Sequence, residues 1–490
     1  MSDPLAFLPL AIAAGGGHVD SFEVQQLVAG GLTLLQRSAP LVRALHRRRS
    51  AILLPTSPAF FTALAASEGR GAVLINPLAA RPEIAYQIAD GNVGAVFTVA
   101  SLADQVPPNA VRVLMDDAPR TARVVADGVS RDIDLGTHHG LTLEGETDAP
   151  GAREEAAVVY TSALAGTLVG ASLTHANLLS NARATVGAGT MRRDGHSLAV
   201  LPFSHLFGLV VSGAAPLLAG GRVTTMSRFN PARAIELLES EPVTDLIGVP
   251  AIFAAIVALL GRRGAALESE RLRLCICGGA PLAIELQDRW GELTGVELRQ
   301  GYGLTEAGPV CLFNRVDLPN RRGTLGVPFP GVRVSVRAEE PAADAEVTHG
   351  ADGEICIAGP NVFSGYVNAA AHPRVDGEAW SGGLHRIGEW LRTGDRGAQN
   401  PDGTIAFRGV IKPMFTRNGF NIYPREIERV IGEMPGVSAV RVTAVPEPLR
   451  ENDIAITVAG DVSAAAVKAW CDDRLAAYKR PSAITIEPGA

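Results

Sequence analysis

A mixed α/β architecture is what this sequence predicts: a large N-terminal unit of parallel-rich sheets with helices plus a β-rich layer, and a small α+β C-terminal unit. Three observations carry that expectation. The chain has 490 residues, too many for a single core. Its first half alternates short apolar runs with longer amphipathic stretches, the rhythm of βαβ units around a buried parallel sheet. From about Gly323 the rhythm breaks into short strands set among Gly, Pro, Asp and Asn.

Taken in order, Ala51–Leu54, Ala72–Ile75, Ala95–Val99 and Val111–Met115 read as strands, with helices around Pro58–Ala66 and Glu83–Ala89. Ala156–Thr161, Leu198–Leu201, Asp245–Gly248 and Leu272–Cys277 continue the strands. His175–Thr185, Ala232–Ser240 and Ala251–Leu260 supply the helices between them. Val332–Arg337, Gly353–Ile357 and Thr404–Phe407 read as the β-rich layer. The tail reads as helix Pro424–Ile431, strands Val437–Val445 and Asp453–Val458, and helix Ala464–Ala477. The expected division is a large unit over 1–408, a hinge over 409–413 and a small unit over 414–490.

Composition narrows the function classes. Apolar residues make up 47% and charged residues 19%, which excludes a disordered chain. A net charge of −7 lacks the basic footprint of a general nucleic-acid binder. The apolar run Leu5–Ala14 has no basic flank and at ten residues cannot span a bilayer, and no other segment is long enough, so no membrane span is expected. The Arg47–Arg49 run reads as the close of a helix before a strand. Five scattered cysteines fit a reducing, cytoplasmic compartment, and Cys275 and Cys277 read as small buried hydrophobes on one strand face.

Chemistry concentrates in a few blocks. Tyr160–Gly170 is placed between a strand and the helix that starts near His175, where backbone N–H groups attract anions. It holds only two glycines and no lysine, so a phosphate cradle and a plain connection both stay open. Further on stand Leu201-Pro202-Phe203-Ser204-His205-Leu206-Phe207-Gly208, Gly278-Gly279-Ala280-Pro281-Leu282, Gln300-Gly301-Tyr302-Gly303-Leu304-Thr305-Glu306 and Trp390-Leu391-Arg392-Thr393-Gly394-Asp395. Gly419-Phe420-Asn421-Ile422-Tyr423-Pro424-Arg425-Glu426-Ile427-Glu428 and Tyr478-Lys479-Arg480-Pro481 follow.

These blocks resemble those of the adenylate-forming, acyl-CoA synthetase superfamily over roughly residues 50 to 485. The resemblance implies that Thr161, Ser162, Gly279, Ala280, Pro281, Gln300, Gly301, Tyr302 and Asp395 bind the nucleotide, with Tyr302 on adenine and Asp395 on ribose. It implies that Thr305 touches the α-phosphate and Glu306 holds Mg²⁺. His205, Phe207 and Gly208 would line the acyl site, with His205 at the carboxylate end. Thr305, Glu306 and His205 are thus the candidate catalytic residues. Gly419 and Phe420 would face the CoA or other acceptor, and Lys412 and Pro413 would form the hinge.

The sequence also departs from the family pattern. Ala163, Leu164, Ala165, Leu168 and Val169 replace phosphate-binding residues, with Val169 at the lysine position. Val410 replaces an arginine and Pro413 the hinge acid. Arg408, two residues earlier, would share a strand face with Val410 and could stand in for that arginine. The family's terminal Gly-Lys has no counterpart before Ala490. Each lost cation would stabilise phosphate charge, so ordinary ATP-dependent activation is expected to be impaired. The expected cofactors are AMP or ATP with Mg²⁺, and CoA or pantetheine. The expected partner is a carboxylic acid or an activated acyl small molecule, with an acyl carrier protein open as acceptor. Three classes remain: an acyl-CoA synthetase-like enzyme, a transferase acting on a pre-activated acyl group, and a non-catalytic scaffold. An apolar cleft is expected beside His205, between the strand after residue 197 and the helix near Ala251.

Overall fold

The computed structural model describes residues 7–67, 71–136, 154–162, 168–188, 190–340, 345–368, 386–411, 414–447 and 450–487. Two nine-stranded sheets form its bulk. In one, Arg222–Thr225, His196–Ala199, Asp245–Gly248, Leu274–Cys277 and Leu298–Gly303 run parallel side by side. In the other, Val111–Met115, Val93–Thr98, Arg49–Leu53, Ala72–Leu74 and Glu155–Ser162 do the same. Central strands such as Val93–Thr98, Asp245–Gly248 and Leu274–Cys277 are buried along their whole length because both faces are covered, as buried parallel sheets require. One continuous hydrophobic core links helices from both sheets; Phe203 meets Phe60 and Phe61 edge-on, with ring centroids 5.6 and 5.3 Å apart.

A third, antiparallel sheet joins Arg333–Arg337, Gly353–Ala358, Trp390–Gln399 and Ile405–Val410. Beyond it Phe415–Arg417 and Phe420–Ile422 make a short hairpin. The tail packs helices Pro424–Gly432 and Ala464–Arg474 on the three strands Val437–Glu447, Glu451–Gly460 and Ala483–Glu487. It has a separate apolar core built on Ile422, Ile427, Ile431, Ile454, Ile456, Val458 and Val467. The five cysteines are free and buried.

One element differs from expectation in a way that matters for the site. The chain after Ser162 does not pass from a loop into a helix. Leu168–Thr174 is a strand that folds back antiparallel on Glu155–Ser162, and the helix His175–Gly187 starts only after it. Val169, Ala171 and Leu173 share its buried face, while Leu168, Ser172 and Thr174 are less buried, the two-residue period of a strand. The helix start is capped instead by Thr174, whose Oγ1 accepts from Asn177 N at 3.1 Å. Ala163, Leu164 and Ala165 lie outside the described residues, as do Lys412 and Pro413 of the expected hinge. No described helix is long and apolar enough to cross a membrane.

Candidate active site

The C-terminal ends of the parallel strands open into a cleft of about 1570 Å³. Ligands collect at this edge in open α/β sheets because the connecting loops diverge there. His205 and Phe207 of the acyl candidates, Thr161, Gly279, Ala280, Pro281, Gln300, Gly301, Tyr302 and Asp395 of the nucleotide candidates, and Gly419 and Phe420 of the acceptor candidates line this cleft, whereas Gly208 does not.

The acyl wall starts at the turn after His196–Ala199. Thr56 staples this turn: its Oγ1 donates to Leu201 O at 3.2 Å and accepts from Phe203 N at 3.2 Å. With Phe203 locked in the core, His205 is left on the cleft surface. Phe207 N–H donates to His205 Nδ1 at 3.2 Å, which puts the neutral ring's proton on Nε2. The protein packed around the ring desolvates it and lowers the His205 pKa from its ordinary value, which favours the neutral form. It can therefore donate a hydrogen bond to a carbonyl or carboxylate oxygen. Phe207–Ala214 then winds as a π-helix, a form that gathers at functional sites, and presents Phe207 and Val211 to the cleft. Gly208 is required by close approach: a Cβ there would lie 2.2 Å from Pro202 O. Ile252 and Ala255 of helix Pro250–Arg263 complete the apolar side.

The adenosine side is built from two strand ends. Gly278–Leu282 follows Leu274–Cys277, and Gln300, Gly301 and Tyr302 lie on the next strand. Gly279, Ala280 and Pro281 leave the backbone accessible to a flat ring. Tyr302 donates its hydroxyl to Asp395 Oδ2 at 2.7 Å. Burial, and then the Asp395 charge, push the Tyr302 pKa well up, so it remains a donor. Asp395 itself is 7% exposed, at the middle of strand Trp390–Gln399.

Glu306 sits in the turn Thr305–Ala307 and is 6% exposed. Its Oε1 accepts from the Tyr366 hydroxyl at 2.7 Å and from Thr161 Oγ1 at 3.2 Å. Both bonds fall on one oxygen, which leaves Oε2 as a hard ligand. No group of three metal-ligating side chains occurs among the described residues. Magnesium does not need one, since it commonly takes one or two carboxylates and fills its shell with water and substrate phosphates. Glu306 thus fits Mg²⁺. At the two positions in the described residues where the resemblance expects cations, this chain has valines. Val169 is fully buried in its strand, and Val410 is 37% exposed on the cleft wall.

Residues 42–367 match the family model described as AMP-binding enzyme. The chain belongs to that family. A feruloyl-CoA synthase of an Amycolatopsis species is 33% identical over 452 residues, covering 89% of this chain and 84% of that one. A long-chain-fatty-acid–CoA ligase of Bacillus subtilis is 26% identical over 471 residues, covering 89% and 81%. Among solved structures, the amide bond synthetase McbA of Marinactinospora thermotolerans superposes with a TM-score of 0.80 at 22% identity over 98% of this chain and 95% of that one. A malonyl-CoA ligase with methylmalonyl-CoA and AMP bound gives 0.78 at 25% identity over 97% and 96%. This is an acyl-CoA synthetase-like, adenylate-forming family member with the family's fold.

Within that frame the hairpin carrying the acceptor candidates Gly419 and Phe420 reaches the cleft from the C-terminal unit. Gly419, at φ +75°, sits so close to Val249 that a Cβ would come within 2.8 Å of its side chain. Phe420 and Asn418 flank it on the cleft wall. Arg228 and Arg450, which the sequence reading passed over, also line the cleft, and both are exposed. Arg408 is a correction. Gly397 pairs with Phe407 and Arg396 with Gly409, so Arg408 is the extra residue of a β-bulge. The bulge breaks the two-residue alternation that would have set Arg408 on the face of Val410. Its side chain is half exposed, pairs with Asp352 at 3.4 Å and does not line the cleft. The Thr161–Glu306–Tyr366 cluster was also missed, because Tyr366 lies 60 residues from Glu306 and only folding joins them.

Proposed function

We propose that this protein binds an acyl-adenylate in the cleft and transfers its acyl group to a CoA-type thiol, while its ATP-consuming half-reaction is impaired. The observation that carries the reading is an asymmetry within one cleft. Adenosine, acyl and acceptor residues converge there, while Val169 and Val410 occupy the positions where phosphate cations belong. In the transfer, the acceptor sulfur attacks the acyl carbonyl carbon and its proton leaves to solvent. The carbon–oxygen bond to the phosphate breaks, and AMP departs with the electron pair. His205 Nε2–H donates to the carbonyl oxygen as charge develops. Asp395 takes the ribose hydroxyls and Tyr302 the adenine face. Thr305 donates to the α-phosphate. Glu306, with Thr161 orienting it, would hold Mg²⁺, which supplies charge neutralisation at phosphate. Arg228 and Arg450 suit the phosphates of a CoA-type acceptor.

The activities of the relatives support a carboxylate, and an aryl or long-chain acyl group, as the acyl donor's class. The unit boundaries proposed are 1–408 and 414–490 about a 409–413 hinge, which limited proteolysis would test by cutting first between the units. The deciding assay supplies acyl-AMP and CoA on one side, and acid, ATP and CoA on the other. Thioester from the first with little pyrophosphate from the second is expected. Efficient pyrophosphate release would overturn the impairment, and thioester from neither would favour a binding role. Replacing CoA by a phosphopantetheinyl carrier protein tests that acceptor.

A further inference from the structure

Lys479 lies at the edge of the cleft, but its ammonium is buried and already taken by two carboxylates. Lys479 is 3% exposed, and its Nζ donates to Glu426 Oε1 at 2.5 Å and to Glu83 Oε1 at 2.8 Å. Glu426 starts helix Pro424–Gly432 in the same C-terminal unit as Lys479. Glu83 belongs to helix Arg81–Asp90, beside the second large sheet. All three side chains are at most 10% exposed. A buried ammonium needs a carboxylate partner, and Glu426 alone provides one. The second carboxylate adds something different: it ties the C-terminal unit to the large one.

Glu83 is itself fixed. Its Oε2 accepts from Ala80 N at 3.0 Å at the start of its own helix, so one carboxylate caps the helix and holds the lysine. On the other side the tie continues toward the cleft. Tyr478, next to Lys479, stacks on Phe420 with ring centroids 4.2 Å apart and planes at 17°. Phe420 follows Gly419, which is wedged against Val249. Glu83, Lys479, Tyr478 and Phe420 therefore form a continuous run from the large unit to the tip of the acceptor hairpin.

We propose that the Glu83–Lys479 bridge is a positioning latch that holds the C-terminal unit in the orientation seating Asn418–Phe420 in the cleft. Lys479 and Glu83 are positioning residues, since neither touches the reacting atoms. The kinetic part of this inference rests on the acyl-transfer reading, and the orientational part does not.

The test labels the full chain at Leu318→Cys and Val445→Cys, two exposed sites, with a donor and acceptor dye. The five native cysteines are buried and label poorly. Wild type should give one narrow transfer-efficiency population. Glu83→Gln keeps the Ala80 cap through its amide oxygen but removes the charge, and should broaden or shift that population. Lys479→Met should do the same. With acyl-AMP and CoA, both variants should lose on the order of 10²-fold in kcat, with acyl-AMP affinity unchanged. Populations unchanged from wild type in both variants would overturn the latch, whatever the transfer assay shows. A shifted population in a protein whose wild type transfers no acyl group would leave the latch standing and remove the acyl-transfer reading.

Discussion

The two ends of the cleft are built to different standards. At the adenosine and acyl end, polar groups are paired and aimed: Tyr302 on Asp395, Tyr366 and Thr161 on Glu306, and Phe207 N–H on His205. At the phosphate end, the two positions that should carry cations carry valines, and the valines are integrated differently. Val169 is sealed inside a strand pair, whereas Val410 lies on the cleft surface. Loss of charge at Val410 is a surface change that a single substitution could reverse. Loss at Val169 is built into packing.

The sharpest way to break that contrast is Val169→Lys. A lysine introduced at a fully buried strand position should destabilise the fold by about 3 kcal/mol or more. It should also leave pyrophosphate exchange near background. Denaturant melts and an exchange assay on the same sample check both statements. A stable variant with robust exchange would show that the phosphate end was one residue from function.

Removing the best-made contact of the other end should cost less in folding and more in binding. Asp395→Ala takes away a buried charged acceptor, and charged hydrogen bonds contribute about 1.5–3 kcal/mol. AMP affinity should fall by roughly 10- to 100-fold. Calorimetry reads this directly, and an unchanged dissociation constant would detach Asp395 from the ribose. The nucleotide preference itself is the next smaller effect. AMP should bind about tenfold tighter than ATP, a difference of about 1.4 kcal/mol, because the outer phosphates find no cation and must be desolvated against apolar walls. ATP binding tighter than AMP would invert the contrast between the two ends.

How much of this could be read from the sequence depended on the range of the interaction. Strands such as Val111–Met115 and Asp245–Gly248 emerge with the expected bounds because each is a short, mostly apolar run. The short blocks around Tyr302 and His205 converge on one cleft for a related reason, since each carries its own turn chemistry and needs no distant partner to be recognised. The strand Leu168–Thr174 was hidden by a family pattern that draws the eye to the loop before it, although Val169, Ala171 and Leu173 already alternate. Arg408 failed for want of one hydrogen-bond register: a bulge inserts a residue and turns a side chain, and no local composition marks it. Glu83 and Lys479 are 396 residues apart, and the burial that makes their bridge meaningful exists only in the folded chain.

The smallest expected effect is also the one that tests the acyl wall most finely. Val211, Ile252, Ala255 and Phe207 line the cleft beyond His205, and this side offers a ligand mostly apolar contact. Each methylene buried there should contribute about 0.8 kcal/mol, close to fourfold in affinity, until the cleft is filled. A series of non-hydrolysable acyl-AMP analogues of increasing length should therefore bind progressively tighter and then level off. The length at the plateau measures the depth of the site. His205→Ala should weaken every member by the same factor, because His205 meets the shared carbonyl and not the chain. Its contribution should also hold steady above pH 6.5. The ring's lowered pKa keeps it neutral throughout that range, so only acidification below the ordinary histidine value should bring in the charged form. An affinity that ignores chain length, in a protein indifferent to His205→Ala, would mean that these residues only pack the core and that the adenosine side of the cleft works alone.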